Sequence, residues 1–180
     1  MQRRIDENLQ ISLFELNQAH DLFKLIDQNR DHFGRWLEFP RVTNTVEDTK
    51  EFIERSLHKY STGNGFWCGI WHRNELIGAI GLLYVNWKDK VTEIGYYIAQ
   101  VHEGKGYISR ACLEVIEFIF NDLKLNRVEI RVNPENTRSC KIPERLGFKK
   151  EGILRQTEWF IDRFTDKVVY GLLKEDWEEN

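Results

Sequence analysis

Residues 92–120, TEIGYYIAQVHEGKGYISRACLEVIEFIF, constrain the fold of this chain more than any other stretch. A strand-like run ends at Ala99, two glycines follow one residue apart, and apolar residues then recur at Ile108, Ala111, Cys112, Val115, Ile116 and Ile119 with helical spacing. The unit is strand, bare turn and amphipathic helix, with one helix face available to lie on a sheet. A helix that starts straight after such a turn presents N–H groups without intrahelical partners and the positive end of its dipole, so it suits an anion such as a diphosphate. Gly104 and Gly106 flank Lys105, and Tyr107, Ile108 and Ser109 supply the first-turn amides. The glycines alone fit a tight turn without a ligand equally well. They match neither Gly-x-x-x-x-Gly-Lys-Ser/Thr nor Gly-x-Gly-x-x-Gly. The glycines of GNGFWCG at 63–69 run from helix to strand, the reverse order, and read as a helix stop.

Around this unit the chain reads as a single domain over residues 1–180, with no repeat, low-complexity tract or Pro/Gly/Ser-rich linker. LQISLFEL at 9–16 predicts a first strand, and helical spacing then runs up to Pro40. Thr45 and Asp48 form a capping box for a helix through EDTKEFIERSLHKY, ended by Gly63 and Gly65. FWCGIWH, LIGAIGLLYV and VTEIGYYIA predict neighbouring antiparallel strands. A strand in NRVEIRVNP, a short helix in NTRSCKIPERLG and a closing hairpin from FKKEGILRQTEWFIDRF to KVVYGLLK complete the pattern. The class is α+β, a mixed sheet with helices against it.

A formal charge of −3 argues against binding nucleic acid through its phosphates, which needs a basic face. The acidic close, KEDWEEN, reads as solvated surface. Cys68, Cys112 and Cys140 are odd in number and lack Cys-x-x-Cys spacing, which fits a reducing cytoplasm rather than a disulfide framework. The opening MQRRIDENLQ has no apolar stretch behind its charges, and LIGAIGLLYV is about half the length that crosses a bilayer, so neither export nor a membrane is expected. His20, His32, His58, His72 and His102 form no ligand cluster, and no metal is expected; His102 is expected to face solvent or to cap.

The succession of TEIGYYIA, HEGKG, helix, RVEIRV and NPENTRSCKIPERLGF resembles the GCN5-related N-acetyltransferase (GNAT) superfamily over nearly the whole chain. NRDHFGRWLEF, IGYYIA, EGKGY, NTRS and RLGF resemble more narrowly its RimJ/RimL branch of ribosomal-protein N-terminal acetyltransferases. The resemblance implies a GNAT fold, a mostly antiparallel sheet splayed at the cofactor site with helices on both faces. It implies direct transfer of the acetyl group of acetyl-CoA to a primary amine. The coenzyme A diphosphate would rest on the turn from Gly104 to Ser109, and the pantetheine arm would pair with the strand edge at Ile98. Cofactor contact is carried over to Asn136, the sulfur side of the reaction to Ser139, and the base to Glu158, with Glu93 as its rival.

Three positions depart from the superfamily pattern. Glu103 stands where the turn motif opens on Gln or Arg, Ile108 where it closes on Gly or Ala, and Pro143 where many members carry a tyrosine acid. A proline inside the short helix also removes the N–H that would bond the Ser139 carbonyl. The branch implies a protein N-terminus, as of a ribosomal protein, as the acceptor. A small amine (polyamine, amino acid or drug) and a non-catalytic acyl-CoA-binding module remain alternatives. Cys140 reads as a small buried thiol, the side chains of Tyr96 and Tyr97 as sheet core, and the aromatic closing strands as a surface for a homo-oligomer.

Overall fold

Apolar side chains of the strands divide between two faces of one sheet, and each face takes its own helices. The structure is a computed structural model that describes residues 1–179; Asn180, the last residue of the acidic tail, lies outside them. The chain runs β1 (Gln2–Arg4), β2 (Leu9–Leu13), α1 (Ala19–Gln28), α2 (Arg30–Phe33), α3 (Phe39–Val42), α4 (Val46–Ser61), β3 (Phe66–His72), β4 (Glu75–Asn86) and β5 (Val91–Ile98). It continues through α5 (Tyr107–Glu117), β6 (Arg127–Val132), α6 (Thr137–Arg145), β7 (Lys149–Phe160), β8 (Arg163–Leu173) and α7 (Lys174–Glu178). The strands form one sheet in the order β1-β2-β3-β4-β5-β6-β8-β7, and only the β5/β6 pair is parallel.

On one face, Ile11, Cys68, Ile70, Ile80 and Ile94 pack with Ala111, Cys112, Val115 and Ile116 of α5. All six apolar residues expected on the inner face of that helix are buried, and a side chain such as Ile116 contributes about 1.5–3 kcal/mol by leaving water. On the other face, Phe14, Ala79 and Tyr97 meet Leu22 and Ile26 of α1 and Ile53 of α4. The capping box at α4 forms as expected: Asp48 N–H donates to Thr45 Oγ1 at 3.2 Å and Thr45 N–H to Asp48 Oδ2 at 2.8 Å.

Three features differ from the sequence reading. Strand β1 is a three-residue edge strand, too short for its alternation to register. The helical run up to Pro40 is broken at Asn29, whose amide Nδ2 donates to the Leu25 carbonyl at 2.9 Å while its Oδ1 accepts the Gln100 N–H at 3.2 Å. Pro40 lies in the first turn of α3 rather than ending a longer helix, and there its missing N–H costs nothing. The acidic close is not plain solvated surface: α7 lays Trp177 on the core with its ring 6.5 Å from that of Phe120, and Lys149 Nζ lies 2.5 Å from Asp176 Oδ1. Among the described residues no helix is long and apolar enough to cross a membrane.

Candidate active site

Strands β5 and β6 pair only where Val91–Glu93 meets Arg127–Glu129. Beyond Glu93 they part, because β5 stays registered with β4 as far as Ile98 opposite Gly78, and β6 stays registered with β8 as far as Val132 opposite Val168. The edge of β5 from Ile94 to Ile98 therefore faces a gap, where an extended ligand can take the place of the missing strand.

At the end of β5 a 3₁₀ turn, Gln100–His102, leads into the glycines. Gly104 and Gly106 have φ of +73° and +77°, a left-handed backbone that disfavours any side chain, and no atom lies within 4 Å of where a Cβ would sit at either. Gly106 is the N-cap of α5 and brings no side-chain cap, so the amides of Tyr107, Ile108 and Ser109 lack intrahelical partners. Left-handed glycines, open space above them and uncapped amides at the positive end of the helix dipole form a cradle that fits a diphosphate. The side chain of Lys105 is exposed and off the cavity wall.

Glu103, an anion beside this cradle, is turned toward α6. Its carboxylate is held by Arg138, and its Oε1 lies 3.4 Å from His32 Nε2. A glutamine there removes the anion and frees the guanidinium for the phosphates. Glu103→Gln is expected to tighten acetyl-CoA binding roughly two- to fivefold at low salt, and less at high salt, as read by calorimetry at two ionic strengths.

The cradle, the gap, the start of α6 and the β7/β8 hairpin enclose a cavity of about 1550 Å³. Every residue assigned from sequence to the cofactor or the reaction, except Lys105, lines it: Ile98, Gly104, Gly106, Tyr107, Ile108, Ser109, Asn136, Ser139 and Glu158, with the rival Glu93. Asn136 caps α6, its Oδ1 accepting the Ser139 N–H at 3.2 Å. The sequence reading left Tyr96 in the sheet core, yet its hydroxyl donates to the Ser139 carbonyl at 3.2 Å and lies 3.3 Å from Ser139 Oγ. Burial pushes the Tyr96 phenol well above its ordinary pKa, so it stays protonated.

The two carboxylates differ in environment. The side chain of Glu93 is 13% exposed, and burial raises its pKa against the opposing pull of Arg131, whose Nε is 3.5 Å away. The side chain of Glu158 is 36% exposed; it accepts from Thr165 Oγ1 at 3.2 Å and lies 2.7 Å from Lys167 Nζ. Cys140 is a buried thiol whose pKa burial raises, with Sγ 3.8 Å from the Asn133 carbonyl, an inert environment as expected. His102 departs from expectation. Its Nδ1 is buried without a partner, and its ring sits 6.0 Å from that of Tyr107. Among the described residues no group of three or more His, Cys, Asp or Glu side chains could hold a metal ion.

A sheet split open beside an uncapped, glycine-led helix start, with carboxylates at the mouth of the split, defines the acyl-CoA N-acyltransferase class. Comparison with known proteins agrees. Residues 8–149 match the acetyltransferase (GNAT) domain family. The chain is 36% identical over 176 residues to the "Putative ribosomal N-acetyltransferase YdaF" of Bacillus subtilis, covering 97% of this chain and 96% of that one. It is 28% identical over 168 residues to the ribosomal-protein-serine acetyltransferase of Escherichia coli, covering 93% and 94%. The fold is shared, at a TM-score of 0.92 and 18% identity over 96% of this chain and 98% of the other, with the ribosomal-protein alpha-N-acetyltransferase RimL in complex with coenzyme A. This chain belongs to the GNAT acetyltransferase family and is an acetyl-CoA-dependent N-acetyltransferase.

Proposed function

We propose that the enzyme acetylates the N-terminal α-amino group of a protein, a ribosomal protein first among them, in the cytoplasm. The observation that carries the reading is the place where the sheet splits. The strand edge that would hold the acyl donor begins at Ile94, just past Glu93, so the donor would lie beside a largely buried carboxylate. The similarity to ribosomal-protein acetyltransferases supports a ribosomal acceptor. The cavity of about 1550 Å³ would hold donor and acceptor together.

Bound acetyl-CoA supplies an acetyl group activated as a thioester. Backbone amides from Gly104 to Ser109 would hold its diphosphate, and the edge from Ile94 to Ile98, with Asn136 across the gap, would orient its arm. An α-amino group, with a reference pKa of about 8 against about 10.4 for lysine, reaches its neutral, nucleophilic form more readily near neutral pH. Burial favours Glu93 over Glu158 as the acceptor of its proton, because a carboxylate pKa raised toward neutrality suits a base working there. Glu158, in its pair with Lys167, would then orient the acceptor. The Ser139 hydroxyl would donate a hydrogen bond to the departing sulfur. Exposed Ile153, Leu154, Trp159 and Phe164 on the β7/β8 hairpin support a homo-oligomer, which light scattering would detect.

A thiol-release screen tests the acceptor. Peptides carrying ribosomal-protein N-termini are expected to turn over, while polyamines, free amino acids and N-terminally blocked lysine peptides do not. Turnover with small amines alone would overturn the reading, and coenzyme A binding without turnover of any acceptor would mark a non-catalytic binding module.

A further inference from the structure

Residue 143 is where α6 breaks its own hydrogen-bond ladder. In an unbroken helix the N–H of residue 143 would bond the carbonyl of Ser139, four residues back. Pro143 has no N–H, so a half-buried carbonyl beside the cavity is left to find a donor elsewhere. The donor comes from across the split sheet. Tyr96 on β5 is 43 residues away in sequence, and its hydroxyl reaches that carbonyl at 3.2 Å. The same phenol oxygen lies 3.3 Å from Ser139 Oγ. A phenol has one proton, and here the carbonyl takes it; toward Ser139 Oγ the Tyr96 oxygen can therefore only accept, which fixes the direction of the serine O–H.

We propose that Tyr96 is a positioning residue for acetyl transfer: it replaces the backbone donor removed by Pro143 and so holds Ser139 at the mouth of the gap between β5 and β6. This rests on the reading of Ser139 as the group that meets the departing sulfur. When the C–S bond breaks, its electron pair stays on sulfur, and the Ser139 O–H turns from the phenol to that sulfur. Tyr96 keeps donating to the carbonyl throughout, so the serine backbone does not move as its hydroxyl changes partner. The sulfur finally takes up the proton that the amine has released, and no other reactant is consumed. Tyr96 thus serves the sulfur side of the site from another strand, through Ser139.

A double-mutant cycle tests this, with single-turnover rates, KM for acetyl-CoA and melting temperature measured for each protein. Tyr96→Phe is expected to lower the rate of acetyl transfer roughly ten- to a hundredfold with KM for acetyl-CoA within about twofold of wild type, the size of effect that comes from small misplacements of a reacting group. In a Ser139→Ala background the same change is expected to be silent, because there is no hydroxyl left to place. Adding Pro143→Ala to Tyr96→Phe restores a backbone donor for the Ser139 carbonyl and is expected to recover part of the rate. A Tyr96→Phe enzyme at wild-type rate, or one slowed by the same factor with and without Ser139, would overturn the inference. A wild-type rate for Ser139→Ala alone would overturn the reading of Ser139 beneath it, an outcome distinct from either of those.

Discussion

Glu93→Gln is expected to lower kcat roughly 10²- to 10⁴-fold, the usual worth of a positioned general base, while leaving the protein at least as stable as wild type. The stability half follows from linkage. Burial raises the Glu93 pKa in the fold above its unfolded value, so the folded protein holds this proton more tightly than the unfolded chain does. Stability from this group therefore falls as pH rises through the ordinary carboxylate range toward the raised folded pKa, and the deficit persists above it. A neutral amide removes the deficit, so the variant is expected to melt at or above the wild-type temperature near neutral pH, and the difference should shrink as pH falls below the ordinary carboxylate range. In activity the sign is reversed. A base must be deprotonated, so the acidic limb of kcat/KM is expected above the ordinary carboxylate pKa and is expected to disappear in Glu93→Gln. Glu158→Gln is the comparison, because its carboxylate is already engaged by Lys167 and Thr165. A larger rate loss from Glu158→Gln than from Glu93→Gln would move the base to Glu158.

Gly106→Val is expected to weaken acetyl-CoA binding at least roughly a hundredfold, the loss of several charge-assisted hydrogen bonds at once. The residue stands at φ +77°, where a side chain costs about 1–2 kcal/mol, and the space above it, empty of protein atoms within 4 Å, is where the diphosphate must come. For a chain of this size that strain corresponds to a fall in melting temperature of about 2–8 °C. Gly147→Val separates strain from binding. Gly147 has φ +81° and the same open surroundings but lies off the cavity wall, so its variant is expected to lose comparable stability and keep acetyl-CoA affinity. Equal loss of affinity in both variants would mean that Gly106→Val acts by damaging the fold rather than by filling the cradle.

Much of this site was legible in the sequence because its parts are local. The strand, the glycines and the amphipathic helix lie within thirty consecutive residues, and each follows from its own spacing; Asn136 capping Ser139 needs only a three-residue offset. What the sequence hid depends on distant pairings. The order β6-β8-β7 places the last strand inside the sheet and β7 at its edge, which no local pattern reveals. Glu93 alternates like any strand residue, and its burial arises only where β6 joins β5 and then departs. Tyr96 read as core together with Tyr97, because nothing local marks a partner 43 residues away; the one local clue was the donor missing at Pro143. The broken helical run before Pro40 was misread because Asn29 ends α1 by side-chain bonds to Leu25 and to the distant Gln100.

Recognition of acetyl-CoA rests on the amides between Gly104 and Ser109 holding its diphosphate. Calorimetric titration of the full-length enzyme with acetyl-CoA and, in parallel, with S-acetylpantetheine, which shares the acyl arm but lacks the diphosphate, tests this most directly. Acetyl-CoA is expected to bind at least roughly a hundredfold more tightly, with Gly106→Val abolishing the difference. Equal affinity for the two compounds, or an undiminished preference for acetyl-CoA in Gly106→Val, would contradict it.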